Sequence, residues 1–190
     1  MLEEYKGYEI KIEQDQDPLD PRENDNMGKM ICFHKRYTLG DKTDLNSDMF
    51  DGWEELKKHL LKEENAEIIL PLYVYDHSGI SMRTFRFGQH SAWDCGQVGF
   101  IYATKKDILE NYQVKKLTKA IKAKAEKLLI AEVEDYNKYI SGDIYCFTIE
   151  KNGEIFDSGN NWYETDDIIK EAKNIIDDLV KEEKKLQLQY

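Results

Sequence analysis

The apolar positions along the chain alternate between two periods. Residues Tyr8 to Glu13 set Tyr8, Ile10 and Ile12 against Glu9, Lys11 and Glu13, the period-two pattern of a half-buried strand. Lys29 to Tyr37 reads as a second strand. Phe50, Trp53, Leu56 and Leu60 then recur at helical spacing as far as Lys62, with Ser47 or Asp48 placed to cap the first turn. Ile68 to Tyr75 is a dense apolar run, short enough for a strand buried on both faces. Pro71 inside it cannot donate to a ladder and demands a bulge or an edge position. Val98 to Ala103 is the next strand. Thr104 and Asp107 have the spacing of a capping box. They open a helix that breaks near Gln113 and continues through Leu117, Ile121, Leu128, Leu129, Val133, Tyr136 and Ile140 until Gly142 stops it.

Asp143 to Lys151 and Glu154 to Trp162 flank Asn152-Gly153, the dipeptide suited to the two positive φ angles of a tight hairpin. Thr165 begins a last helix, with Ile168, Ile169, Ala172, Ile175, Ile176, Leu179 and Val180 on one stripe. The order predicts an α+β protein: a single domain over 1–180 with one mainly antiparallel sheet of about six strands, helices on one face, and a frayed polar tail over 181–190. Gln14 to Gly28 and Asp76 to Gln97 are expected to be long surface loops.

Composition narrows the function classes. Of 190 residues, 41% are apolar and 34% charged, and the formal net charge is −11, too acidic for whole-protein attraction to nucleic acid or anionic lipid. Neither direct nucleic-acid binding nor a membrane association is expected, since no window approaches the roughly 18 apolar residues of a span. Cys32, Cys95 and Cys146 are odd in number and far apart, so no disulfide framework or CxxC metal grip is present. The charge is uneven along the chain: net −7 over 1–64, +4 over 65–130 and −8 over 131–190. Lys105, Lys106, Lys115, Lys116, Lys119, Lys122, Lys124 and Lys127 supply most of the positive block, as the solvated face of a helix or as a site for a phosphate-bearing ligand.

Catalytic signatures are absent from the sequence: there is no GxGxxG, GxxxxGK[ST], HExxH, GxSxG or EF-hand pattern, and neither a metal nor a cofactor is expected. The candidate contact region is the loop from Asp76 to Gly96. It holds Asp76, His77, Arg83, Arg86, His90, Trp93 and Asp94 as the residues placed to meet a ligand or partner. Asp76 beside His77 would orient an imidazole, although neighbours on a strand point to opposite faces. Arg83 and Arg86 carry planar forks that suit phosphate or carboxylate. A second candidate is the acidic loop with Asp15, Asp17, Asp20, Glu23 and Asp25, read as a carboxylate-rich surface because it lacks the geometry of a calcium loop.

Three phrases carry a resemblance: Asp17-Pro18-Leu19-Asp20-Pro21-Arg22 through Tyr37, Leu70-Pro71-Leu72-Tyr73-Val74-Tyr75-Asp76-His77-Ser78-Gly79-Ile80, and Trp93-Asp94-Cys95-Gly96-Gln97-Val98-Gly99-Phe100-Ile101-Tyr102. Over most of residues 7–160 the chain resembles a family of small uncharacterised proteins encoded by bacteriophages and mobile elements, especially of Gram-positive bacteria. Arg83 to Ser91 departs from that family's more Ser- and Pro-rich loop, and no chemistry is carried over. The resemblance implies a phage accessory protein acting in the host cytoplasm. Its expected action is to bind a host protein, such as a CRISPR effector or another nucleic-acid-binding defence component, through acidic surfaces. The competing expectation is binding or hydrolysis of a small phosphorylated or nucleotide ligand by the 76–97 loop. The oligomeric state is left open.

Overall fold

A computed structural model describes residues 1–88 and 94–187. In chain order the elements are β1 (Leu2–Tyr5), β2 (Tyr8–Gln14), β3 (Lys29–Cys32), α1 (Trp53–Lys62), β4 (Ala66–Asp76), β5 (Ile80–Arg83), β6 (Cys95–Thr104), α2 (Lys105–Asn111), α3 (Lys119–Ser141), β7 (Tyr145–Lys151), β8 (Glu154–Trp162) and α4 (Thr165–Gln187), with short 3-10 turns at Pro21–Glu23 and Ser47–Met49. The class is α+β, as expected. In place of one sheet of about six strands there are two antiparallel sheets of four, ordered β1-β2-β7-β8 and β3-β6-β4-β5.

The chain divides into two compact units, one formed by Met1–Leu19 with Gly142–Tyr190 and the other by Asp20–Ser141. The first is thus discontinuous in sequence, its two hairpins separated by the whole of the second. Lys6 and Gly7, with φ of 50° and 81°, make the β1–β2 turn, and Asn152 and Gly153, with φ of 54° and 82°, make the β7–β8 turn. Both turns have the paired positive φ angles that match strand twist. Tyr8, Ile10 and Ile12 of β2 and Phe147 and Ile149 of β7 face α4, which returns Ile168, Ala172 and Ile176 at four-residue intervals. The helix runs to Gln187, into the segment expected to fray, and Glu183 within it accepts hydrogen bonds from Tyr8 Oη at 2.8 Å and Lys151 Nζ at 2.8 Å.

The second unit covers its sheet on both faces, against the expectation of one. Ile101 and Ala103 of β6 lie with Met30, Leu72, Val74 and Met82 beneath Ala125, Leu129, Val133 and Tyr136 of α3. Phe100 and Tyr102, pointing the other way, pack with Ile31 on Leu56 and Leu60 of α1. Burying each such leucine stabilises the fold by about 1.5–3 kcal/mol. Pro71 pairs with Phe100 on β6, whereas β5 ends at Arg83 opposite Tyr73 and does not reach Pro71, so the missing donor faces no strand. The Thr104–Asp107 capping box forms, Gln113 at φ 51° separates α2 from α3, and Gly142 at φ 77° follows α3.

The second strand is shorter than the expected Lys29–Tyr37, because after Cys32 the chain folds into a tight turn. Likewise the 76–97 stretch is not a loop throughout: β5 and the first residues of β6 are strands within it. The acidic loop is pinned rather than free at its second half. Arg22, with 4% of its side chain exposed, donates to Asp41 Oδ1 at 2.7 Å, to Glu132 Oε2 at 3.2 Å and to the Gly28 carbonyl at 2.6 Å. Glu132 on α3 also accepts from the Met27 and Gly28 amides, at 2.9 and 3.1 Å. Burial drives the Glu132 carboxyl above the usual carboxylate range, a push that these amides and Arg22 partly offset.

Candidate functional site

At the end of β4, Asp76 receives two side chains from the turn after β3: the Arg36 guanidinium, which donates to its Oδ2, and His34, whose Nε2 lies 3.7 Å from the same oxygen. Neither partner follows from the sequence spacing. His34 Nδ1 accepts from the amides of Arg36 and Tyr37, both at 3.3 Å, so in the neutral ring the proton is on Nε2 and points at Asp76. A base needs a lone pair free for substrate, and the one on this ring is used by the backbone. His34 is a pin for the turn, stacked on Tyr37 at 5.3 Å.

His77 and Asp94 approach to 3.6 Å, with 64% and 39% of their side chains exposed. Such an open pair is screened and weakly oriented. The two arginines meet through the backbone, Arg83 donating to the Arg86 carbonyl at 3.3 Å, but their guanidinium groups lie over different rings. The Arg83 guanidinium lies over the rings of Phe87 at 3.6 Å and Phe85 at 4.4 Å, and its buried Nε has no hydrogen-bond partner among the described residues. Arg86 turns to Tyr73, donating to its hydroxyl at 3.4 Å. Arg86 therefore lines a cleft of about 440 Å³ with Trp53, Tyr73, Phe87 and Gln97. Asp76, Asp94, His34 and Arg36 border another of about 650 Å³. His90 and Trp93 lie outside the described residues. Among the described residues no three His, Cys, Asp or Glu side chains are grouped to hold a metal ion. Cys32 is a packing residue: burial pushes its thiol up to about 12, far from reactive thiolate.

The other candidate surface belongs to the first unit, where the acidity of the chain is concentrated. That unit carries 18 acidic and 8 basic side chains, net −10, against 20 and 19, net −1, in the second. Five of its eight lysines are already held in ion pairs inside it: Lys6 with Asp177, Lys11 with Glu150, Lys151 with Glu183, Lys173 with Glu3 and Lys181 with Asp178. On the sheet face turned away from α4, register sets Glu4 opposite Glu9 and Glu9 opposite Glu150. Three carboxylates thus run in a row across three strands, with Glu13 four positions along β2 from Glu9 on the same face. Like charges directly opposed destabilise a sheet. Lys11 reaches Glu150 and comes within 4.0 Å of Glu9, offsetting only part of that repulsion.

The predicted acidic loop divides between these roles. Asp15 accepts from the Asn161 amide at 3.0 Å and ties the loop to β8, and Asp20 caps the 3-10 turn by accepting from the Arg22 amide at 2.8 Å. Asp17, Glu23 and Asp25 are exposed. The carboxylate row was missed because β1 was not recognised. Its four residues, Leu2, Glu3, Glu4 and Tyr5 before Lys6-Gly7, show no alternation of apolar and polar positions and lack the Asn-Gly of the second hairpin.

Searches against protein-family models, curated proteins and solved structures found no match to this chain. No helix among the described residues is long and apolar enough to cross a membrane.

Proposed function

We propose that the protein is a noncatalytic binding protein whose acidic unit engages a basic protein surface of the kind that holds nucleic acid, as an accessory protein antagonising a host nucleic-acid enzyme would. The observation that supports this reading best is the segregation of charge. A net −10 on one small unit, with Glu4, Glu9 and Glu150 kept face to face at a cost in stability, is the pattern of a surface retained for recognition. Carboxylates so arrayed pair with the Lys and Arg of a phosphate-binding groove and accelerate encounter over a Debye length of roughly 8 Å. The chemistry at the sheet end agrees: the imidazole of His34 is spent on backbone amides and that of His77 is open to solvent, so neither is held as an oriented base.

The test is affinity capture from a Gram-positive bacterial lysate, comparing the wild type with Glu4→Lys/Glu9→Lys/Glu13→Lys at about 50 and about 300 mM salt. The expected result is recovery of a nucleic-acid-binding protein by the wild type at low salt only, and none by the variant. Recovery of no such protein at low salt, or equal recovery by the variant, would overturn the reading.

A further inference from the structure

Three lysines of the central charge block, Lys119, Lys124 and Lys127, share one face of α3, outside the acidic unit, and Lys115 and Lys116 immediately precede that helix. Lys105, Lys115, Lys116, Lys119, Lys124 and Lys127 are all exposed, and none is in an ion pair with a described residue. By contrast Lys122 bonds Glu67 at 2.7 Å and Lys106 lies 3.8 Å from Glu110. Successive helical residues turn by about 100°, which places Lys119, Lys124 and Lys127 within an arc of roughly 140° on the side opposite the buried stripe of Ala125, Leu129, Val133 and Tyr136. From Lys119 to Lys127 is a rise of about 12 Å. Ala120 and Ala123, both exposed, lie between these lysines, so nothing bulky holds a large anion away. Glu126 is the single carboxylate from Lys115 to Leu128. Cations in the first turns of a helix oppose its dipole, and α3 has no acidic residue in its first turn.

We propose that this face of α3 binds the phosphodiester backbone of duplex DNA. The net charge of the chain argues against nucleic acid only if it is spread evenly, and it is not: the unit that contains α3 is at −1. The face has lysines and alanines but no aromatic side chain. That suits backbone contact and gives no platform for stacking the bases of a single strand. A helix bearing small side chains matches the major groove of B-form DNA, about 12 Å wide, whereas that of A-form RNA is too narrow. Contacts to phosphate alone confer affinity without sequence preference. The inference is independent of the proposed role of the acidic unit.

Fluorescence anisotropy of a labelled 20-base-pair DNA duplex tests it on the full chain. With about four phosphates engaged, from Lys119, Lys124, Lys127 and the Lys115-Lys116 pair, log K falls against log salt with a slope of about −3.6. Binding therefore weakens about 150-fold between about 50 and 200 mM salt. Lys119→Glu/Lys124→Glu/Lys127→Glu is expected to lower affinity at least tenfold at about 50 mM salt and to flatten the slope to about −1, with no fall in Tm because these side chains have no ion-pair partners among the described residues. Ala123→Glu, which removes no lysine, is expected to weaken binding in the same direction. No anisotropy change at low salt, equal binding by the triple variant, or equal or tighter binding of single-stranded DNA or duplex RNA would overturn the inference.

Discussion

Replacing Arg22 by methionine removes the one cation from a buried cluster while keeping most of the side-chain volume. In the wild type the guanidinium is 4% exposed and Glu132 9% exposed, and Asp41, which also accepts from the Met30 amide at 2.7 Å, is 26% exposed. Breaking such a pair from one side leaves an uncompensated buried charge and costs about 3–5 kcal/mol, a large share of the roughly 5–15 kcal/mol that stabilises a domain. For a unit of this size that lowers Tm by roughly 10–20 °C. The pH dependence gives a second readout. Glu132 already titrates above the usual carboxylate range through burial, and losing Arg22 raises it further. A raised carboxyl favours the folded state when protonated, so the deficit is full at neutral pH and shrinks as pH falls toward the ordinary carboxylate value of about 4.3. Urea unfolding followed by circular dichroism at pH 7 and pH 5 measures both. A variant within about 1 kcal/mol of the wild type at pH 7, or a deficit that does not narrow in acid, would refute the assignment of Arg22 as the pin of this loop.

Gly99 on β6 sits where an added Cβ would meet the Ile31 carbonyl oxygen at 1.8 Å, so Gly99→Ala is expected to part β3 from β6 and cost more than about 3 kcal/mol, read by thermal unfolding. Glu4→Thr relieves the opposition to Glu9 and is expected to stabilise the protein by about 0.2–1 kcal/mol; a loss of that size would show that the row is not repulsive. Cys32, with its thiol pushed up to about 12, is expected to resist a thiol reagent at pH 8 in the native protein and to react at once in urea, as peptide mapping of the labelled sites would show.

What the sequence made legible is local chemistry. The Thr104–Asp107 capping box, the Asn152-Gly153 hairpin, the stop at Gly142 and the stripe of α4 each depend on residues within a few positions of one another, and all form. What it concealed depends on distant partners. Residues of β2 pair with residues of β7 more than 130 positions away, as Ile10 with Ile149, and no pattern within either strand says that two sheets form instead of one. β5 is invisible because its four residues become a strand only against β4. The turn that ends β3 early is set by backbone amides closing on His34 Nδ1. The same holds for the candidate surfaces. Among the described residues of 76–97, the Arg83 guanidinium lies over Phe85 and Phe87 and reaches Arg86 only at its backbone carbonyl, at 3.3 Å, and Asp76 takes its partners from His34 and Arg36. Acidic ends and a basic middle were visible as sequence blocks. That the two ends join in one unit of net −10 is a consequence of topology.

The most direct test of the central claim is the association rate of the purified captured partner with the wild type and with Glu4→Lys/Glu9→Lys/Glu13→Lys across a salt series. If the acidic unit is the recognition surface, the variant associates at least about tenfold more slowly at 50 mM salt and the difference closes by about 300 mM. Equal rates at low salt, or a difference indifferent to salt, would contradict it.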